Sequence, residues 1–206
     1  MTKRKYEQRV RAESAERTRE RILEALADRI RKNPSGTISV ESVAEDAGVA
    51  RSTVYSVFGS RAGLFDALAR TIVRGPGYER LLEVTRGPDP TVALREGIRA
   101  TVDLYVSEYE VDRALYSLAR LGDEAVAAAI GRREEERTAG MAGISRRLAA
   151  RGHLRKGMGA TRAAHLLWML TSFDAFDQLW SGRGMEADAI ADLLFETAER
   201  TLLASG

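Results

Sequence analysis

Apolar side chains recur at helical spacing along most of the chain, and glycine, proline and small polar residues mark where each helix should begin or end. β-branched residues never run together for long, so nothing in the pattern favours a sheet. The predicted helices cover residues 18–32, 39–47, 51–57, 60–73, 91–109, 112–120, 123–151, 160–181 and 186–204. The pattern therefore predicts an all-α protein of about nine helices.

The strongest interruption of this pattern lies between GPG at 75–77 and RGPDP at 86–90. We place a domain boundary there. The prediction is an N-terminal domain over 1–75, beginning with a basic arm, and a C-terminal helical domain over 76–206. Within the second domain, the run REEER at 133–137 is interpreted as a solvated helix face.

The helices predicted between residues 39 and 57 are too short to be stable alone, so they must share a core with the first and fourth helices. Ser39 and Ser60 can cap two of them, and Gly48 and Gly59 can end them in the left-handed conformation. Two short helices joined by a glycine turn form a helix-turn-helix. The outer face of 51–56 is narrow and polar, which suits the major groove of DNA.

Charge favours the same interpretation, although the net charge of the 206-residue chain is only +2. Residues 1–75 hold 15 Lys and Arg against 10 Asp and Glu, whereas residues 76–206 hold 17 against 20. A basic N-terminal third is typical of a segment that meets a polyanion. A solvated charged surface is the alternative.

The composition argues against several kinds of site. The chain has no cysteine, so disulfides and thiolate metal sites are excluded, and His153 and His165 are too few for a histidine zinc site. We find no nucleophile–base pair and no phosphate loop, so neither an enzyme nor a cofactor is expected. No apolar stretch approaches the roughly 20 residues that cross a bilayer, and no signal peptide is recognised, so we expect no membrane partner and a cytoplasmic protein.

The stretch VAEDAGVARSTVYSVFGSRAGLF at 43–65, preceded by TIS at 37–39, resembles the TetR (tetracycline repressor) family of bacterial transcription regulators. The resemblance covers roughly residues 18–72. It implies an N-terminal three-helix helix-turn-helix domain that binds DNA. It also implies a C-terminal helical domain that dimerises and often holds a small effector.

The resemblance also implies roles for individual residues. The residues that would meet DNA are Ser39, Arg51, Ser52, Thr53, Tyr55, Ser56 and Arg61. Ser39 would cap a helix and bond a phosphate, and Arg61, in place of the family's usual lysine, would contact phosphate. Tyr55 is either a core aromatic or, as the family pattern favours, a hydroxyl facing the backbone of DNA. The basic residues 3–11 are either a minor-groove arm or disordered.

Three positions depart from the family pattern. Ala50 stands where a capping hydroxyl is common, and losing such a cap typically costs about 1 kcal/mol. Val57 stands where a polar residue is common. Gly63 lies in the first turn of the fourth helix, where a better helix former is expected. DNA contacts therefore cannot be copied from the family unchanged.

The last two predicted helices carry unusually large apolar surface. The segment LLWMLTSFDAFDQLW at 166–180 is apolar on more than one face, which is typical of a helix buried on several sides. We interpret these helices as the homodimer interface, as the family resemblance implies. Asp174 and Asp177 would bind a cationic effector, pair with arginines across the dimer or face solvent, and we favour the last two interpretations.

The resemblance further implies an effector pocket, for which aromatic residues with polar tips suit a small apolar or aromatic ligand. The predicted lining residues are Tyr105, Tyr109, Tyr116, Arg120, Trp168, Met169 and Phe173. The alternative is an ordinary core position, which we favour for any one of them taken singly.

Together these features predict a homodimeric repressor that binds a pseudo-palindromic operator in double-stranded DNA near a promoter and is released by a small molecule. Two alternatives stay open. One is a helical small-molecule-binding protein without DNA binding, and the other is a transcriptional activator of the same fold.

Overall fold

The computed structural model describes residues 3–33, 36, 38–72 and 75–204, with side chains from residue 12 onward. Eleven α-helices occur within these residues and account for nearly all of the regular structure. Their bounds are α1 Lys3–Lys32, α2 Val40–Asp46, α3 Arg51–Phe58, α4 Arg61–Ile72, α5 Pro76–Thr85, α6 Pro90–Ser107, α7 Tyr109–Arg120, α8 Glu124–Ala150, α9 Ala160–Leu170, α10 Phe173–Arg183 and α11 Ala187–Leu202. The predicted all-α class is confirmed, and the predicted number of helices was two too low.

One additional helix, α5, fills the segment that the sequence pattern marked as a break. Pro76 occupies its first turn, where a fixed φ favours the helix and no backbone N–H is needed. Asp89 then caps α6 by accepting hydrogen bonds from the N–H groups of Thr91 and Val92. The two glycine and proline clusters therefore delimit a short helix that the sequence pattern did not predict.

The other additional helix comes from a division of the predicted helix 160–181. The backbone leaves the helix at Thr171, and Ser172 then caps α10 by accepting a hydrogen bond from Ala175 N at 3.2 Å. No glycine or proline marks this position, so periodicity alone joined the two halves. The break lets α9 and α10 present different faces to the core.

Contacts between residues divide the described chain into two units. The first contains residues up to Thr71 together with Arg113–Ile130, and the second contains Ile72–Asp112 together with the chain from Gly131. Helices α7 and α8 each supply residues to both. The functional division at residues 75 and 76 stays a prediction.

The first unit is built around the apolar face of α1. The fully buried side chains of this core include Ile22, Leu26 and Ile30 of α1, Val43 of α2 and Phe65 of α4. Because α2 and α3 are only seven and eight residues long, they depend on this shared core for stability. The backbone is helical from Lys3, so the basic N-terminal residues continue α1.

The second unit is organised around α6, which packs against α5, α10 and α11. Gly97 of α6 permits close approach of α5, since a Cβ there would lie 2.8 Å from Cγ2 of Thr85. On the outside, the Arg99 guanidinium pairs with Asp188 at 2.5 Å and with Asp192 at 2.9 Å, joining α6 to α11. Two of these helices, α5 and α6, line a cavity within the unit.

Within the part of the chain that the structure describes, every helix is too short or too polar to cross a membrane.

Candidate nucleic-acid interface and cavity

The turn between α2 and α3 has the geometry that its sequence predicts. Ser39 caps α2, and its Oγ accepts a hydrogen bond from Ser42 N at 3.1 Å. Gly48 adopts a φ of +61°, and the following N–H of Val49 donates to Ala44 O at 2.9 Å. These contacts end α2 and redirect the chain into α3, so the predicted cap and glycine turn are confirmed.

Ala50 precedes the first residue of α3 and provides no side-chain cap, as expected from the missing hydroxyl. Val54 is its buried residue, which turns the opposite face outward. The outward side chains, Arg51, Ser52, Tyr55 and Ser56, are exposed, and Thr53 is half-buried. The structure therefore brings five of the seven predicted DNA-contacting residues together on one polar ridge, defined here as the outward face of 51–56.

Arg51 lies at the exposed start of this ridge. Its Nε is 2.8 Å from Oε1 of Glu41, and its Nη2 donates to the Tyr55 hydroxyl at 3.3 Å. The side chains of Arg51 and Glu41 are 59% and 56% exposed. The hydrogen bond with Tyr55 and then the charge of Glu41 raise the pKa of Arg51, so its positive charge is secure. An exposed pair of this kind is weak and can exchange partners.

Arg61 is held differently. Its Nη1 and Nη2 donate to the two carboxylate oxygens of Asp123 at 2.7 and 2.6 Å, and its Nε donates to Ile38 O at 3.2 Å. The guanidinium also lies 4.7 Å from the centre of the Phe65 ring. Only 31% of the Arg61 side chain and 19% of the Asp123 side chain are exposed. The paired guanidinium holds the pKa of Asp123 below its ordinary value and the carboxylate raises that of Arg61.

The two glycines near α4 explain a second departure from the family pattern. Gly59 ends α3 with a φ of +75°, and Ser60 then accepts a hydrogen bond from Gly63 N at 3.0 Å. A Cβ at Gly63 would overlap the carbonyl oxygen of Phe58. Glycine is therefore required where helix propensity alone favours another residue.

A cavity of about 320 Å³ lies entirely within the second unit. Helices α5, α6 and α8 form its walls, and Thr171 completes it. Most of its surface is apolar, contributed by residues such as Leu82, Leu94, Ile98 and Met141. A cavity of this size and composition suits a small, mostly apolar ligand.

Two arginines of the charge run 133–137 reach this cavity. Arg133 is buried and forms a two-point ion pair with the fully buried Asp112, with Nη2 2.8 Å from Oδ2. Arg137 is half-buried, with its Nη2 2.7 Å from Glu134 and its Nη1 donating to Trp168 O at 2.8 Å. The interpretation of this run as a solvated face is therefore wrong for both arginines.

Other polar groups lie at the cavity margin. Arg147 donates to the carbonyl oxygens of Thr85, at 2.5 Å, and Gly87, which end α5. Burial raises the pKa of the Tyr105 hydroxyl to about 12, and this hydroxyl donates to Thr171 O at 3.2 Å. Burial also raises the pKa of Tyr78, which lines the cavity from α5. Both phenols stay neutral in ordinary buffers.

Of the seven residues predicted to line an effector pocket, Tyr105 lines this cavity. Tyr109 and Phe173 instead pack in an aromatic cluster with Phe176 and Trp180. The other four lie elsewhere: Tyr116 and Arg120 are on the part of α7 that belongs to the first unit, and Trp168 and Met169 are 41% and 55% exposed. Sequence periodicity did not identify the arginines that take their place.

The carboxylate of Asp177 has hydrogen-bond partners within its own chain. Its Oδ1 accepts hydrogen bonds from the Tyr109 hydroxyl at 2.7 Å and from Ser181 Oγ at 2.9 Å. These bonds provide a local reason for an acidic residue on an apolar helix. Asp174 lies half-buried in the first turn of α10, where a negative charge is favourable.

Comparison with known sequences identifies the same segment as the geometry. A sequence profile for bacterial regulatory proteins of the tetR family matches residues 22–68, which contain α2, α3 and the turn between them. The HTH-type transcriptional repressor LfrR of Mycolicibacterium smegmatis is 32% identical over 143 residues, which cover 65% of this chain and 74% of LfrR.

Comparison with solved structures extends the likeness to the C-terminal helices. NalD, the secondary repressor of the MexAB-OprM multidrug efflux pump in Pseudomonas aeruginosa, is 28% identical with a TM-score of 0.74, covering 94% of this chain and 100% of NalD. A complex of SmeT, from Stenotrophomonas maltophilia, with triclosan gives a TM-score of 0.71 at 16% identity, covering 92% and 93%. At that identity the likeness shows the fold alone.

Proposed function

Because this chain belongs to the tetR family of bacterial regulatory proteins and is therefore a DNA-binding transcriptional regulator, we propose that it acts as a homodimeric repressor controlled by a small molecule. The observation that carries the proposal is the exposed polar ridge of α3, which is backed by a single buried valine. The relatives LfrR and NalD are both described as repressors, which supports the same direction of control.

We propose that the ridge enters the major groove. Arg51 is the side chain best suited to reach a guanine edge, because its present ion pair is exposed and exchangeable. Ser52, Thr53 and Ser56 are short enough to let the helix approach closely, and the Tyr55 hydroxyl contacts a phosphate. Ser39 adds a phosphate contact at the start of α2.

A homodimer supplies the second ridge that a pseudo-palindromic operator needs. Three large apolar side chains stay exposed on the C-terminal helices: Trp168 and Met169 on α9 and Leu193 on α11. We propose that these side chains are covered by the same surface of a second copy. Two ridges spaced by roughly 34–36 Å could then engage successive major grooves on one face of the duplex.

We propose that the effector occupies the cavity lined by α5, α6 and α8. Four arginines line it, Arg86, Arg133, Arg137 and Arg147, against one lining acid, Glu136. Arg133 and Arg137 are neutralised by their partners Asp112 and Glu134, so Arg86 and Arg147 leave a small positive excess over Glu136. In a cavity with mostly apolar walls, this excess disfavours a cationic ligand and favours a neutral or anionic one. The ligand releases DNA only by the difference in its affinity for the DNA-binding and non-binding conformers.

The test is selection of bound duplexes from a random pool, followed by titration of the selected DNA. We expect a two-fold symmetric sequence and at least about tenfold weaker binding by Arg51→Ala, the loss of a typical base contact. Arg80→Ala, which removes an exposed arginine from α5, is the matched control and should bind as the native chain does. Failure of a folded native dimer to bind any duplex at low salt would contradict the proposal.

The same titration, repeated with effector probes, tests the cavity. Decanol, decanoate and decylammonium share one apolar chain and differ in charge. We expect the first two, but not the ammonium, to weaken DNA binding. Selective release by decylammonium would contradict the proposed ligand class.

The direction of control is tested separately. Placing the operator before a reporter gene would distinguish repression from activation.

A further inference from the structure

We infer that Arg61 and Asp123 form a positioning pair that holds the polar ridge of α3 in its DNA-binding orientation, and that Arg61 is not itself a phosphate contact. The inference rests on the proposed entry of α3 into DNA. It concerns two residues 62 positions apart in the sequence, both in the first unit.

The donors of Arg61 are directed into the protein. Two N–H groups reach the two oxygens of one carboxylate, a third reaches the Ile38 carbonyl, and one face of the guanidinium covers the Phe65 ring. Planar two-point pairing of this kind is among the strongest charged hydrogen-bond arrangements. To reach a phosphate, the side chain would have to abandon this pair, which is mostly shielded from water.

Asp123 is itself fixed, so it cannot follow Arg61 toward DNA. Its Oδ1 also accepts a hydrogen bond from Val126 N at 3.3 Å, and its carbonyl accepts one from Ala127 N at 2.8 Å. Asp123 therefore caps α8 while it binds Arg61. A carboxylate with two fixed partners provides a rigid attachment point.

The pair joins three segments that are far apart in the sequence. Arg61 begins α4, Asp123 precedes α8, and Ile38 lies immediately before Ser39, the cap of α2. Helix α3 is connected at one end to α2 through the Gly48 turn and at the other to α4 through the Gly59 turn. Because Arg61 binds both the Asp123 carboxylate and the Ile38 carbonyl, it holds the start of α4 next to the start of α2 and consequently fixes both connections of the ridge.

Fluorescence anisotropy with the selected operator tests the pair, at salt concentrations from about 50 to 200 mM, where phosphate contacts determine the slope. The variants are Arg61→Lys, which keeps the charge but loses the two-point geometry, Asp123→Asn, and both together. We expect each single variant to weaken binding about tenfold, with the double variant no weaker than either, as for two members of one pair. The salt slope should equal that of the native chain.

Several results would overturn the inference. One is native affinity for Arg61→Lys together with a salt slope lowered by about 0.9 when Arg61→Ala is added to the series, which would assign Arg61 to a phosphate. Tighter binding by Asp123→Asn would make the carboxylate a repulsive group. Losses that multiply to about a hundredfold would show independent action. Another is that the variants melt at lower temperatures but bind DNA with native affinity when assayed well below the melting temperatures of both native chain and variant. The pair would then contribute to stability alone.

Two further variants keep the experiment decisive. Asp28→Asn removes an exposed ion pair between Asp28 and Arg31 that lies within α1, so its affinity should stay native. If Asp123→Asn does not fold, Asp123→Glu keeps the charge and displaces the carboxylate by one methylene. Weaker DNA binding by that variant supports the inference and native binding overturns it. The native chain is measured beside every variant. If it binds the operator and the variants behave as it does, the positioning role fails; if it binds no duplex, the proposed function fails.

Discussion

The starts of α3 and α4 are alike in sequence and differ in structure. Each helix follows a glycine with positive φ by two or three residues, and each carries an arginine at its first position. Yet the start of α3 has no side-chain cap, and its Arg51 is largely exposed. The start of α4 is capped by Ser60, and its Arg61 lies between Asp123 and Phe65. The partner's position in the fold, and not the residue type, decides which arginine is available to a ligand.

The contrast follows from solvent access. Water weakens the attraction between Arg51 and Glu41, which are both more than half exposed, so that pair constrains the ridge little. Arg61 and Asp123 are mostly shielded and meet at two points, which makes their geometry costly to change. One helix start is thus open to a partner, and the other is built into the unit.

The largest effect expected on stability comes from Gly63→Ala at the rigid start of α4. A Cβ there overlaps the Phe58 carbonyl, so the turn between α3 and α4 must shift. We expect the free energy of unfolding, measured by denaturant titration, to fall by about 1–3 kcal/mol.

The matched control for this change is Gly131→Ala in α8, where a Cβ meets no atom within 4 Å. Alanine in an open helical position should raise the free energy of unfolding by about 0.5–1 kcal/mol. If Gly63→Ala were as stable as this control, the start of α4 would be no more constrained than an open helix surface.

A smaller effect is expected from acid acting on Asp123. Arg61 holds the pKa of Asp123 below its ordinary value of about 3.9. The pair therefore contributes its full stabilisation at pH values above about 3.9. This contribution is lost as the pH falls through the lower folded-state pKa. We expect the free energy of unfolding of the native chain to exceed that of Asp123→Asn by about 1 kcal/mol at pH 7. This difference should shrink below about pH 4.

Chemical denaturation at several pH values measures this difference. Glu41→Gln, which removes the exposed partner of Arg51, is the control and should leave the unfolding midpoint at pH 7 unchanged. A difference between the native chain and Asp123→Asn that persisted undiminished to pH 2 would contradict the assignment of the effect to this ion pair.

The smallest effect should come from Ala50→Ser, which supplies the missing cap of α3. A serine hydroxyl at this position can accept a hydrogen bond from the N–H of the second or third residue of the helix. We expect a gain of about 0.5–1 kcal/mol in the free energy of unfolding. A thermal melt measures it, and an unchanged or lower midpoint would show that the start of α3 does not admit the cap geometry.

The local features of the fold could be predicted because their causes lie within a few residues. Ser39 and Ser60 cap helices, Gly48 and Gly59 reverse the chain, and Val54 marks the buried side of α3. Each depends on backbone groups three or four positions away. The polar ridge was therefore recognised from the residues between these signals.

Features that depend on distant partners were not recognised. The acceptor of Arg61 is Asp123, and the acceptor of Arg133 is Asp112, neither of which helical periodicity identifies. The break at Thr171 has no glycine or proline; it is stabilised by the serine cap that follows and by the Tyr105 hydroxyl. The bounds of α5 were obscured because proline at the first position of a helix resembles a proline that ends one.

The glycines of α8 give the cavity a property that an alanine-lined wall would lack. Gly140 and Gly143 both line the cavity, and a Cβ at either would meet no atom within 4 Å. The first carbon of a side chain can therefore be added at either position without a clash, so the volume of this cavity can be reduced from α8 alone. Under the proposed effector control, such variants would favour smaller ligands, which is a route to biosensors that differ in the size of the molecule they report.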